Sequence, residues 1–156
     1  MTDNMDPLMM GRIRAKVPDV MGDQESGWAM PCAPFSGKTM GFFALPDKDA
    51  GVWIEFEHGD PDYPIWSGCW WGSLAEMPSA VIVPPPASSK VMIMTKGGSS
   101  ILIDDTPGIG GVTIETSTGQ KIVLGVMSVE ISNGQGASIK MMGPRVSIND
   151  GALEVI

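Results

Sequence analysis

The sequence is poor in the residues that most often carry chemistry. It has one histidine, His58, one tyrosine and two cysteines in 156 residues, which leaves too few His and Cys ligands for a metal centre built within one chain. Cys32 and Cys69 lie far apart and form no CxxC pair, so both are expected as free thiols in the core, with a disulfide or a metal ligand as the alternative. Cation is also scarce. Ten Lys and Arg stand against 18 Asp and Glu, a net charge of −8, and the first 89 residues hold five basic against twelve acidic side chains. Such a surface repels a phosphate backbone, and nucleic acid is not expected as a partner. No run approaches the roughly 18 to 20 apolar residues of a membrane helix. The opening MTDNMDPLMM has neither the basic nor the apolar segment of a secretion signal, and the expectation is a chain made and folded in the cytosol.

What the sequence has in quantity is punctuation. Twenty glycines and 13 prolines, spread through apolar segments, favour many short strands over helices. Gly11 to Val17 alternates, with Ile13, Ala15 and Val17 on one face and Arg12, Arg14 and Lys16 on the other, and Pro18 is expected to end it. Val52 to His58 alternates more clearly, Val52, Ile54 and Phe56 opposing Trp53, Glu55 and Glu57, before a Gly59-Asp60-Pro61 turn. Further strands are expected near residues 27–33, 41–45 and 65–71. Five short strands in residues 11–75 suit a small barrel, preceded by an arm at 1–10. Pro78, Pro84, Pro85 and Pro86 place a stiff extended linker at 76–90.

From 91 to 156 the pattern becomes repetitive. Ile114, Ile122, Ile131, Ile139 and Ile148 follow one another at steps of 8, 9, 8 and 9, with Gly or Asn-Gly at the bends. This period holds one strand and one turn. It supplies no second layer, so the apolar stripe that those five isoleucines mark is expected to be buried against other copies of the chain. An ordinary sandwich with the first half is the other arrangement open at this point.

Four places in the sequence offer candidate chemistry. Glu55, Glu57, Asp60 and Asp62 are the densest carboxylates, but their alternating and turn positions fit a solvated strand face and a shaped loop better than an acid/base pair. His58 has no nucleophile motif to serve. Gly108 to Gly111 lacks the lysine and following helix of a phosphate loop. Trp66, Trp70 and Trp71 offer a stacking platform for bases or sugars, or else fill a core or interface. These residues point to no enzyme and no cofactor, though several copies of the chain together would be able to gather one ion.

Gly11 to Val17, Trp28 to Pro31 and above all Gly51-Val52-Trp53-Ile54-Glu55-Phe56-Glu57-His58-Gly59-Asp60-Pro61-Asp62-Tyr63-Pro64-Ile65-Trp66-Ser67-Gly68 resemble the OB-fold domain of the baseplate V and VgrG family, and the later repeats are similar to that family's spike. The resemblance implies an all-β chain, an N-terminal OB-fold barrel followed by an intertwined triple-stranded β-helix or trimeric β-prism. It implies a homotrimer that docks on a separate baseplate hub and punctures a target cell envelope, in a phage tail or phage-derived injection particle assembled in the cytoplasm. Three departures from the family are visible: no lysozyme domain between barrel and needle, no large hub domain before the barrel, and no His-x-His iron motif near the C-terminus. The last repeat ends in Leu153, Val155 and Ile156 without a cap, and these are expected to dock a PAAR-type tip protein. The alternative is a stand-alone OB module that binds an oligosaccharide or oligonucleotide, which does not require the repeat.

Overall fold

The computed structural model describes residues 1–82 and 89–155; Pro84, Pro85, Pro86 and Ile156 lie outside them. The chain separates into two compact units, Met1–Glu76 and Met77–Ile156.

In the first unit the alternation of residues 11–17 is realised: Ile13 and Ala15 are fully buried with Ala29. The ladder expected there is not continuous. The segment pairs through isolated bridges, Asp3 to Arg14, Ile13 to Ala29 and Lys16 to Glu25, because its two edges meet different partners. Pro18 does more than stop the strand. It starts the one-turn helix α1, Pro18–Met21, where its missing N–H costs nothing. Residues 1–10 are tied down. The Arg14 N–H donates to the Asp3 carbonyl at 2.7 Å, and the buried Asp6 carboxylate accepts the N–H groups of Leu8, Met10 and Arg12 as well as the Arg12 guanidinium at 2.7 Å. The guanidinium holds Asp6 well below the usual carboxylate range, and the three backbone donors add to it. Arg12 and Arg14 both lie over the Trp28 ring.

Strands β1 (Met30–Pro31), β2 (Ser36–Gly37), β3 (Met40–Gly41), β4 (Gly51–Phe56) and β5 (Pro64–Trp70) complete this unit. β4 and β5 form an antiparallel pair with a shift between Trp53 and Ile54 that leaves Ser67 as the extra residue, a bulge that bends the strand. β1 joins β5 in parallel. The strands expected at 27–33 and 41–45 shrink to two-residue ladders, and β2 pairs only with β3, so among the described residues the ladders do not close into a ring. Pro31 and Pro34 interrupt donation along the first segment.

The second unit is one antiparallel meander: β6 (Lys90–Met94), β7 (Ser100–Asp104), β8 (Gly111–Glu115), β9 (Lys121–Gly125), β10 (Val129–Ser132), β11 (Ser138–Met142), β12 (Arg145–Ile148) and β13 (Leu153–Val155), each strand paired with its neighbours in sequence. At about 4.8 Å per strand the ladder runs roughly 34 Å. Along one edge three turns close identically, the N–H of Thr95, Thr116 and Asn133 donating to the carbonyl of Ser99, Gln120 and Ala137 at 2.9, 2.9 and 3.0 Å. The only described residue of this unit that is buried is Gly110. An eight-stranded sheet has formed without a core of its own.

Candidate assembly surface

The register explains why that core is missing. Ile93, Ile101, Ile114, Ile122, Ile131, Ile139, Ile148 and Leu153 stand directly opposite one another, strand by strand, across the whole meander. Two residues away on each strand, and therefore on the same face, runs a second row: Val91, Ile103, Val112, Leu124, Val129, Met141, Val146 and Val155. Every position in both rows is aliphatic or Met. Among the described residues of this unit no layer covers the face: Ile114, Ile122, Ile131 and Ile139 remain 39 to 45% exposed. The opposite face is mixed. It carries ion pairs from Lys90 to Asp104 at 3.3 Å and from Lys121 to Glu115 at 3.4 Å. Thr106, through its hydroxyl and its N–H, and then Lys90 lower the Asp104 pKa. Lys140 also belongs to this face, between Glu130 and Ser147 in the register.

All five isoleucines singled out by their spacing fall in one row, and Leu153 ends that row while Val155 ends the other. Ile156 lies outside the described residues. Spacing missed Ile93 and Ile101 because the six residues between β7 and β8 stretch the step from Ile101 to Ile114 to 13. The alternation of Ile101-Leu102-Ile103 was masked as well, since Leu102 makes both faces apolar there.

The other candidates are not assembled into a chemical site. Glu55, Glu57, Asp60 and Asp62 are exposed. Asp60 shapes its loop by accepting the Asp62 N–H at 3.0 Å. The His58 side chain is 93% exposed, 4.0 Å from Glu57. Gly108 to Gly111 closes the β7–β8 connection, and no helix follows it. The three tryptophans do not form one platform. Trp66 donates its indole N–H to the Gly11 carbonyl at 3.1 Å, whereas Trp70 meets Trp53 at 6.4 Å between ring centroids. The cysteines require a correction: Cys32 and Cys69 are free thiols but exposed rather than in the core. Both open onto an apolar cavity of about 590 Å³ shared with Met30, Phe42, Phe43 and Trp66. The segment carrying Phe42 and Phe43 makes no long ladder that would seal it.

An all-β chain with a compact first unit and a second unit that presents sixteen apolar residues on one uncovered face belongs to the class of assembly proteins, whose fold is finished between copies. Comparison with protein families agrees. Residues 1–71 match the type VI secretion system and phage-baseplate injector OB domain, and residues 90–154 match the phage baseplate V C-terminal trimerisation domain. The chain belongs to the phage baseplate V family, and its two domains are structural, spike-type components of a tail baseplate or injection particle. No curated protein matches it.

Proposed function

We propose that this chain is the central spike of a contractile injection machine: a homotrimer whose OB domains dock on a separate hub and whose trimerisation domains form a needle driven through a target envelope. The observation that carries this reading is the double apolar row. Twelve of the sixteen side chains are 39 to 62% exposed, which makes the face an association surface, and burying a large aliphatic side chain contributes roughly 1.5 to 3 kcal/mol. Three copies placed around an axis through the rows cover all of it. The same arrangement puts Ile114, Ile122, Ile131, Ile139 and Ile148 on the axis and leaves Lys140, Lys90–Asp104 and Lys121–Glu115 facing water. A needle needs resistance to local unfolding more than affinity, and a continuous ladder over an interdigitated axis supplies it. The role is mechanical, without catalysis.

The outer edge of β13 is the place proposed for a tip partner. Among the described residues no strand pairs with the outer edge of β13, and Leu153 and Val155 are more than half exposed there. Three copies of Leu153 and Val155 brought together make an apolar platform, suited to a PAAR-type cap. In this reading the chain is divided into an OB domain at 11–75, a linker at 76–90 and a needle domain at 91–156, and assembly takes place in the producing cell's cytoplasm.

The test is mass in solution. Light scattering on the purified chain should give about 50 kDa, three times 16.5 kDa, as closed threefold symmetry requires; a monodisperse monomer would end the spike reading. Deleting residues 151–156 should preserve the trimer and abolish capture of a PAAR-type partner. Unchanged capture would remove the capping role alone.

A further inference from the structure

The two long edges of the meander differ in chemistry. One carries the turns 95–99, 116–120, 133–137 and 149–152, built from Thr, Ser, Gly, Gln, Asn, Lys and Asp with no side chain larger than alanine among the apolar ones. The other carries the connections 105–110, 126–128 and 143–144, which hold Pro107, Ile109, Val126, Met127 and Pro144. Ile109 is 81% exposed, Val126 64% and Met127 80%. The register fixes this grouping, since Asp104 pairs with Gly111, Gly111 with Gly125, and Met142 with Arg145. A solvated hairpin end has no use for isoleucine and methionine at its tip, and the polar edge shows that this chain makes water-compatible turns where it needs them.

The apolar edge is continuous with the apolar face. Val112, Leu124 and Val129 are the row nearest to it, and Val126 and Met127 follow Leu124 directly through Gly125. The isoleucine row lies nearer the polar edge. A cyclic trimer joins each copy to the next through two different surfaces, and this sheet has two different edges to offer.

We propose that the trimer closes as a pinwheel: the Ile109, Val126 and Met127 edge of each copy tucks inside the next and packs on that copy's isoleucine row, while the polar turns cover the corner from outside. The inference rests on the trimeric reading above and specifies the seam between copies. It explains why the row bordering the polar edge is almost wholly isoleucine. Those side chains receive a neighbour's edge as well as facing the axis, and β-branched residues hold one rotamer against such packing. Reversing the edges would take the polar Asn, Gln and Thr turns out of water.

Met127 reports on its own burial. Under dilute hydrogen peroxide, sulfoxide formation followed by peptide mass spectrometry should be at least about tenfold slower at Met127 in the native trimer than in the same chain unfolded in guanidinium. Met9, 90% exposed in the first unit, serves as the internal comparison. In parallel, Met127→Glu should lower the trimer fraction at micromolar concentration, and Gln135→Glu on the opposite edge should leave it unchanged. A chain that sediments as a trimer yet oxidises at Met127 as fast as when unfolded overturns the pinwheel and spares the trimer. A chain that sediments as a monomer overturns both.

Discussion

Ile139→Lys is the most informative single change. Ile139 sits within the isoleucine row, between Ile131 and Ile148, and is 42% exposed in the single chain; the proposed trimer closes over that remainder. Truncating a buried isoleucine costs about 2 to 5 kcal/mol. Lysine adds a charge. Three ammonium groups about 8 Å apart at an effective dielectric constant of ~20 repel by about 2 kcal/mol per pair, roughly 6 kcal/mol for the three. Desolvation adds several kcal/mol for each ion. The sum exceeds the roughly 16 kcal/mol that two micromolar association steps provide, so the variant should fail to form trimer. Sedimentation velocity at micromolar concentration should show monomer or insoluble protein. Lys140→Ile, one residue away on the opposite face, should sediment as the wild type does. Equal tolerance of both substitutions would show that the inward register is wrong, because a one-residue shift exchanges the faces.

Asp6 ties stability of the first unit to pH. Its folded pKa is depressed by Arg12 and by backbone donors, so its contribution is present above the ordinary aspartate value near 4 and is lost as pH falls below it. The urea midpoint of the first unit should hold from pH 6 to about 4 and drop as the pH falls below about 4, and Asp6→Asn should start lower and change less. Gly134 has φ +72°, and a Cβ there would lie 2.6 Å from the Gly119 carbonyl oxygen, whereas Gly136, at φ +99°, has open space. Gly136→Ala should cost about 1 kcal/mol from backbone strain alone, and Gly134→Ala clearly more, measured as the lower melting temperature. Gly51 seats the Trp70 indole, which a Cβ would meet at 2.5 Å. Gly51→Ala should displace that ring from Trp53 and change the near-ultraviolet dichroism, with a small effect on stability because Trp70 is 47% exposed and free to swing outward.

The repeat was legible because a strand has period two and a hairpin a fixed length. Once Ile114 to Ile148 recur at steps of 8 and 9, they must share a face and a row, whatever surrounds them. The same periodicity argued for partners outside the chain, since one strand and one turn per repeat leave nothing to cover the stripe. Composition likewise limited the chemistry: one histidine and a shortage of cations are facts of the sequence. Tertiary structure decided what depends on pairing across distance. Only the ladder brings Ile93 and Ile101 into the row, since a six-residue connection breaks the beat that local spacing follows. Only folding binds residues 1–10 through Asp6, because a carboxylate that collects three backbone N–H groups and a guanidinium leaves no periodic trace. The separation of Trp66 from Trp70 depends on the Ser67 bulge, and the contrast between the two edges of the meander appears only once antiparallel pairing has sorted alternate turns to opposite sides.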